Sequence, residues 1–157
     1  MTETYEAALN QKEPVSADAA GRVASFLVLE TRGELYAVRW TLVREAGIVL
    51  PQDVCDSAGR PEVRRRGESF PLYHLWELVG QEKPTEAREE MAAVYLEENG
   101  NRMVLVPERI LWKQDGDLRP LPQWLERAPV VAGVISLPSG VAVVVVEPFD
   151  VKEHECL

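Results

Sequence analysis

Short apolar runs rich in β-branched and aromatic residues recur along the chain, and polar segments with a glycine or a proline separate them. Runs of this length and composition are typical of β-strands rather than of helices. They occupy residues 23–29, 35–42, 43–50, 92–96, 102–106, 110–113, 130–137 and 141–146. The pattern therefore predicts a mainly β chain with little helix.

Three of the polar segments predict tight hairpin turns. Residues 31–34 contain one glycine, residues 97–101 contain Asn99-Gly100, and residues 138–140 read Pro-Ser-Gly. Asn-Gly is the strongest short hairpin signal, because both residues accept the positive φ values of a two-residue turn. Strands joined in this way form small barrels or a sandwich. Two five-stranded barrels fit the strand count, and the periodicity alone does not separate them from one sandwich.

The apolar spacing becomes helical near the middle of the chain. The residues at i, i+3 and i+4 spacing are Leu72, Leu75, Trp76, Leu78 and Val79. They predict a short helix that ends before Gly80, which suits the C′ position. Before the helix, residues 62–70 predict two short strands around Gly67, and the turn-forming residues of 52–61 predict a loop. Residues 81–90 are charged and predict either a linker or an exposed helix.

The two ends lack this patterning. Residues 1–21 are polar and aperiodic, which predicts a disordered tail, and residues 153–157 predict a second, short tail. The length of 157 residues fits one ordinary domain, or two small subdomains with a common core. No stretch approaches the roughly 20 apolar residues needed to cross a bilayer, so we expect no membrane insertion.

Charge and cysteine content narrow the range of partners. The formal net charge of -9 disfavours nucleic acid, since phosphate binding needs a basic surface, and it disfavours anionic lipid as well. Proteins and small molecules remain as partners. Cys55 and Cys156 are too far apart in the sequence to suggest a disulfide framework or a metal site. A reducing, cytoplasmic location is the simplest interpretation.

The side chains that carry chemistry in enzymes form no catalytic pattern here. His74 and His154 are the only histidines, and we expect the first to pack against or cap the helix and the second to lie in the C-terminal tail. Each glycine is isolated and fits a turn better than a phosphate-binding loop. We therefore expect no enzymatic activity, no cofactor and no metal. Trp124, between prolines, either covers a barrel mouth or anchors a partner.

Arg64-Arg65-Arg66 is the one basic run in this acidic chain. A solvated strand or turn is a sufficient explanation for it. On a strand, however, Arg64 and Arg66 share one face. Arginine is also the cation most enriched in protein interfaces, because its planar group makes several directed hydrogen bonds. Beside Val63 and Phe70, the run is a candidate for the edge of a binding groove.

Residues 66–80 resemble the signature of the CheW-like domains of chemotaxis coupling proteins. The segment reads RGESFPLYHLWELVG. As in that family, an Arg-Gly turn joins two strands, a proline follows, and a short helix ends in a glycine. The surrounding segments agree in order: an opening Phe-Leu-Val-Leu strand, Val-Arg-Glu at 43–45, an apolar strand at 102–106 and a closing hairpin at 131–146. The match covers residues 22–152.

The resemblance implies a fold and a function. The fold would be two tandem SH3-like β-barrels with short helices, the first over about 22–80 with a C-terminal return and the second over about 92–146. The function would be that of a non-enzymatic adaptor in bacterial signal transduction. Such an adaptor couples the cytoplasmic hairpin of a methyl-accepting chemoreceptor to the regulatory domain of the chemotaxis histidine kinase.

The resemblance also implies two binding surfaces. The family binds the receptor in the groove between the barrels, near the Arg-Gly turn. The corresponding residues of this chain are Val63, Arg66, Gly67, Phe70 and Pro71. Kinase contact in the family uses strands of the first barrel, which corresponds broadly to residues 38–49.

Several positions depart from the family pattern. The approach to the Arg-Gly turn is short, and residues 61–65 replace the usual Gly-apolar-apolar-Asn stretch. His74 stands where an aspartate is common, and Pro107 replaces another aspartate, so that strand must end or lie at an edge. An adaptor that joins both partners and a diverged one that binds only one of them both fit these residues. A small-molecule-binding β-barrel input domain with similar turns is the alternative.

Overall fold

The structure, a computed structural model, describes residues 23–57, 59–84, 89–121 and 130–151. The predicted tails lie outside these residues, as do Trp124, His154 and Cys156. The strands are β1 Val23–Thr31, β2 Glu34–Arg39, β3 Val43–Val49, β4 Val54–Ser57, β5 Arg60–Arg65, β6 Glu68–His74, β7 Met91–Glu98, β8 Asn101–Val106, β9 Arg109–Asp117, β10 Val131–Ser136 and β11 Ala142–Val146. The one α-helix of the described residues is α1, Leu75–Leu78, and 3₁₀ turns span Trp40–Leu42, Pro51–Asp53 and Pro148–Asp150.

The strands form two curled sheets. The first sheet has the order β10-β11-β2-β1-β9, and the second has the order β3-β7-β8-β6-β5-β4. Most neighbours are antiparallel, whereas β11 with β2 and β6 with β8 are parallel pairs. Each sheet therefore takes strands from both halves of the chain. The prediction was a first barrel over about 22–80 with a C-terminal return and a second over about 92–146. β11 does return to pair with β2, whereas β1 also pairs with β9, β3 pairs with β7, and the second sheet has six strands rather than five.

The predicted hairpins are confirmed, and two of them share a turn conformation with the β5–β6 turn. Arg32-Gly33, Arg66-Gly67 and Asn99-Gly100 each combine two positive φ values, of 52° to 56° and then 79° to 85°. This is the combination that a type I′ turn requires, and its twist matches that of the flanking strands. The third predicted hairpin joins β10 to β11 at residues 137–141.

Three apolar clusters hold the sheets together. Phe26, Ala37, Ile135, Val143 and Val145 form a cluster within the first sheet. The second sheet encloses Val49, Val63, Phe70, Leu72, Ala93, Tyr95, Val104 and Val106. The largest cluster lies between the sheets, with Leu27 and Val38 from the first packed among Val94 and Leu105 from the second. Because β1, β7 and β8 bury both of their faces, their sequences are continuous apolar runs rather than alternating ones.

A backbone bridge closes the first sheet on itself. The chain beyond β9 meets β10, where the amides of Arg119 and Val134 donate to each other's carbonyl oxygens at 2.9 and 2.8 Å. Gly133 permits this approach, because a Cβ at that position would lie 2.2 Å from the Arg119 carbonyl oxygen. Gly116 faces the Ile135 side chain at a hypothetical Cβ distance of 3.0 Å. A side chain larger than that of glycine at either position would therefore hinder the closure of the first sheet.

Two local predictions are wrong in detail. Residues 52–61, expected to form a loop, contain β4 and the start of β5, because their turn formers make a hairpin around Gly59. Pro61 is tolerated near the start of β5, where that strand pairs with β4 and not yet with β6. Leu72, placed in the helix by its spacing, lies in β6, and only Leu75–Leu78 is helical. The stop at Gly80 is confirmed: its φ is 80°, and the Gln81 amide donates to the Trp76 carbonyl oxygen. No helix in the described ranges is long and apolar enough to span a bilayer.

Candidate functional site

The turn between β5 and β6 presents an arginine to solvent. Arg66 has a φ of 56°, and Gly67 follows with a φ of 80°. The Arg66 side chain is 76% exposed, and its nearest ion-pair contact, with Glu45, is long at 3.8 Å. Its guanidinium therefore keeps most of its donors available for another molecule.

The three turns of this type differ in what their first residue does. Asn99 is a residue that tolerates the left-handed backbone well. Arg32 donates its amide to Glu108 at 2.7 Å and reaches the Glu82 carbonyl with its side chain at 3.5 Å, so it joins separate segments of the chain. Arg66 makes neither kind of link. Backbone strain at a residue with so little structural role is typical of functional sites.

Glu45 of β3 lies between two arginines of the turn region. Its carboxylate accepts a hydrogen bond from Arg65 Nε and makes the longer contact with Arg66. The Arg65 guanidinium carbon also lies 4.9 Å from the centre of the Tyr95 ring, a cation–π geometry. Burial raises the pKa of the Tyr95 hydroxyl, although the nearby Arg65 opposes that shift. Arg65 is thus engaged by the fold, whereas Arg66 points to solvent.

A second group of ion pairs continues from this turn across the outer surface. Arg44 contacts Glu97 at 2.7 Å and Glu68 at 3.2 Å, and Arg102 contacts the other oxygen of Glu68 at 3.1 Å. These pairs join β3 at one edge of the second sheet to the β5–β6 turn near the other edge. We call Arg44, Glu45, Arg65, Arg66 and Glu68 the turn surface.

The structure separates the five residues that the resemblance assigns to receptor binding. Arg66 and Gly67 are exposed in the turn, and Pro71 is half-buried in β6. Val63 and Phe70 are opposite each other in the β5–β6 ladder, and both are 3% exposed within the core of the second sheet. Their side chains therefore support the turn from beneath and do not form its outer surface.

The segment implied in kinase contact bridges the two sheets. Residues 38–49 include the end of β2, the buried 3₁₀ turn Trp40–Leu42 and the whole of β3. β3 is an edge strand of the second sheet, where Ile48 is 52% exposed. An edge strand presents unpaired backbone N–H and C=O groups with which another chain can pair.

His74 lies at the opposite end of β6 from the turn. Its ring is stacked on that of Trp76, with centroids 5.3 Å apart, and its amide donates to Glu77 at 3.0 Å at the start of α1. The predicted packing and capping position is thus confirmed. Burial lowers the pKa of the His74 imidazole, Lys83 and Arg60 act in the same direction, and Glu77 opposes them.

Sequence reasoning missed the acidic half of the turn surface. Glu45 and Glu68 are about 20 residues apart in the chain, and only the curling of the sheet brings them to one place. The Val-Arg-Glu segment at 43–45 resembles the family pattern, and its sequence alone does not indicate that its charges pair with those of the β5–β6 turn. Among the described residues, no group of three or more His, Cys, Asp or Glu side chains is arranged to hold a metal ion.

Comparison with solved structures identifies the architecture. The chain is similar to the crystal structure of the scaffolding protein TtCheW from Thermoanaerobacter tengcongensis, with a TM-score of 0.62. The match covers 78% of this chain and 88% of that chain, at 16% sequence identity. The chain has a CheW-like fold.

This result confirms the predicted fold class, a mainly β chain with two SH3-like barrels and short helices, which the structure shows as two curled sheets. The predicted five strands are found in the first sheet, and the second has six. No protein-family model matches the sequence, and no curated protein matches it. At this level of identity the structural match establishes the fold and leaves function to be argued from the site.

Proposed function

We propose that this protein is a non-enzymatic adaptor in bacterial chemosensory signalling, and that the turn surface binds the cytoplasmic helical hairpin of a chemoreceptor. The observation that carries the proposal is Arg66: an exposed guanidinium, on a left-handed backbone, in the Arg-Gly turn of a CheW-like fold. Arginine in such a position makes directed hydrogen bonds with carboxylates or helix carbonyls of a partner.

The charges around Arg66 suit a partner of mixed charge. Glu45 and Glu68 alternate with Arg44 and Arg65, and each is already paired within the chain. A partner that approaches this surface therefore meets ordered side chains, which lowers the entropy lost on binding. The neighbouring apolar side chains are buried, so binding here would depend on polar contacts and on shape.

Capture of purified receptor hairpins tests the proposal. We expect wild-type protein to bind at least one hairpin encoded in the same genome with micromolar affinity, which corresponds to about 8 kcal/mol. Arg66→Glu should weaken binding about tenfold or more, because a hydrogen bond to a charged group contributes roughly 1.5–3 kcal/mol. Isothermal titration calorimetry measures both affinities.

Arg64→Glu is the matched control. Arg64 is exposed on β5, two positions from Arg66, and forms no ion pair with the described residues. The same charge reversal at Arg64 should change affinity less than threefold, roughly the effect of one rim charge. Equal losses of affinity in the two variants would mean that general electrostatic attraction, and not a specific contact of Arg66, drives binding. Failure to bind any receptor hairpin would refute the receptor assignment.

Kinase binding is proposed for the segment 38–49, of which Arg44 and Glu45 also belong to the turn surface, with exposed Ile48 as its apolar anchor. We expect Ile48→Asp to abolish binding to the regulatory domain of the chemotaxis histidine kinase and to leave receptor capture unchanged. Wild-type protein that captures the receptor and never the kinase would instead define an adaptor restricted to one partner. Binding of the two partners together, measured in one ternary pull-down, distinguishes these two forms of the adaptor.

A further inference from the structure

A cavity of about 290 Å³ lies where the two sheets meet, at the end of β6 opposite the turn surface. The strand from Glu68 to His74 separates the two places by about 20 Å at roughly 3.3 Å per residue. The first sheet contributes Thr31, and Glu108 is attached to it by the hydrogen bond from its amide to the Glu30 carbonyl. The second sheet contributes His74, Met91, Ala92 and Val106, and the segments next to its strands contribute Trp76, Lys83, Pro84 and Pro107.

The body of the cavity is apolar and includes a flat aromatic surface. Trp76, Met91, Ala92 and Val106 line it. The Trp76 indole is stacked on the His74 imidazole with an angle of 23° between the rings, and this fixes the indole plane. A fixed aromatic plane beside aliphatic side chains is suited to the flat ring of a ligand.

The rim of the cavity carries one cation that the rest of the described chain does not neutralise. Lys83 lines the cavity and forms no ion pair with the described residues. Arg60, by contrast, is paired with Glu77 at 3.3 Å. The carboxylate of Glu108 accepts a hydrogen bond from the Arg32 amide at 2.7 Å, which directs it to the β1–β2 turn.

We propose that this cavity binds a small aromatic carboxylic acid, with its ring against Trp76 and its carboxylate at Lys83. The volume of about 290 Å³ is just below the usual range of small-molecule sites, roughly 300–1,000 Å³, so the ligand has one or two rings. It contacts both sheets and gives the protein a small-molecule input separate from the turn surface. The site does not depend on the proposed adaptor function.

Indole-3-acetate and its neutral isostere indole-3-acetamide are the probes. Titration calorimetry on the full chain should show saturable binding of the acid with a dissociation constant below about 1 mM, and binding of the amide at least about fivefold weaker. The acid should also raise the melting temperature, because it binds the folded state alone. Amide chemical-shift changes should centre on residues 74–76, 83, 91 and 92.

Two variants and a control assign the contacts. Lys83→Gln should lower the affinity for the acid to that for the amide and leave amide binding unchanged. Ala92→Leu should weaken both probes, because it fills part of the apolar body. Arg64→Gln removes a cation from the far end of β5 and should change nothing.

The proposal is overturned by absence of saturable acid binding up to about 10 mM. It is equally overturned if acid and amide bind alike, or if Lys83→Gln binds the acid as wild-type does. Should Ala92→Leu fail to fold, the exposed Lys83→Gln variant and the shift map decide the matter. Receptor capture by the turn surface is measured in a separate experiment. Failure of small-molecule binding in the cavity therefore leaves the proposed receptor binding unaffected, and the reverse also holds.

Discussion

Arg66 and Asn99 have the same backbone conformation in two different hairpins, yet only one of them is a residue that favours it. A left-handed backbone costs most residues roughly 1–2 kcal/mol, and asparagine less. The side chain of Arg66 makes one long contact within the described chain, so its interactions offset little of this unfavourable free energy. The residue whose backbone conformation destabilises the turn is therefore the same residue, Arg66, that we assign to partner binding.

Replacing Arg66 by asparagine should separate stability from binding. We expect Arg66→Asn to raise the free energy of unfolding by about 0.5 kcal/mol or more, because backbone strain falls. Receptor capture should fall as it does in Arg66→Glu. Urea unfolding and calorimetric titration measure the two effects.

The same substitution in the β1–β2 turn is the control. Arg32→Asn relieves the same backbone strain and keeps the amide hydrogen bond to Glu108, but it loses the side-chain contact with the Glu82 carbonyl oxygen. The two changes oppose each other, so its net effect on stability should be small and its effect on receptor capture nil. A fall in stability of more than about 1 kcal/mol in Arg66→Asn would give Arg66 a structural role instead.

His74 makes stability depend on pH. Burial lowers its pKa in the folded protein, so between the folded and unfolded pKa values the unfolded state binds more protons. The free energy of unfolding therefore falls as pH drops through about 6.5, the ordinary pKa of histidine. His74→Gln should lose less stability than wild type between about pH 7.5 and pH 5.5 in urea titrations. His154→Gln is the matched control, and identical pH profiles for His74→Gln and wild type would contradict the assignment.

At the scale of elements, closure of the first sheet depends on the contact between Gly133 and the Arg119 carbonyl. A methyl group at Gly133 would lie 2.2 Å from that oxygen, so the strands must separate and lose two backbone hydrogen bonds. We expect Gly133→Ala to lower the free energy of unfolding by about 2 kcal/mol or more.

Gly47→Ala is the control for that substitution. A Cβ at Gly47 would meet no atom within 4 Å, and Gly47 has no positive φ. Its replacement should be neutral or slightly stabilising, because alanine has less backbone freedom in the unfolded state. Similar losses for Gly133→Ala and Gly47→Ala, measured by urea unfolding, would show that closure is not limited by the glycine contact.

The sequence predicted those elements whose signals are local. Asn99-Gly100 fixes its hairpin by the conformations of two adjacent residues, and Gly80 ends α1 by its own φ. β4 was missed because turn formers flank and enter a strand of only four residues. Val63 and Phe70, predicted to line the binding site, lie in the core instead. Strand alternation in the sequence shows which residues share a face of the strand, but it does not show which of the two faces is exposed to solvent.

At the scale of the whole molecule, the central apolar cluster makes the two sheets one cooperative unit. Leu27 and Val38 of the first sheet pack among Val94 and Leu105 of the second, so neither sheet can open without exposing the other. Arg39 adds a polar link: from β2 it contacts Glu98 of β7 at 3.1 Å and Glu147, beyond β11, at 2.6 Å. The hydrogen bond to Glu147 raises the Arg39 pKa further above its ordinary value.

Unfolding should therefore occur in one step. We expect far-UV circular dichroism and tryptophan fluorescence to give coincident urea transitions, and the calorimetric and van't Hoff enthalpies to agree. The destabilised Gly133→Ala variant should shift the whole transition and not one part of it. Two resolved transitions would mean that the sheets fold as independent domains.

The interleaved order of the strands also limits how such a gene can change by recombination. Residues 81–90 look most like a domain linker in the sequence, but strands of both sheets lie on either side of them in the chain. In the first sheet, β1 and β2 precede these residues and β9 to β11 follow them. In the second sheet, β3 to β6 precede them and β7 and β8 follow them. A recombination crossover at these residues between two diverged genes would combine strands from different parents in each sheet. Apolar side chains that do not fit each other would then meet in the cores of both sheets. The proposed receptor-binding and kinase-binding faces would then diversify by point substitution, since neither could be exchanged as a block.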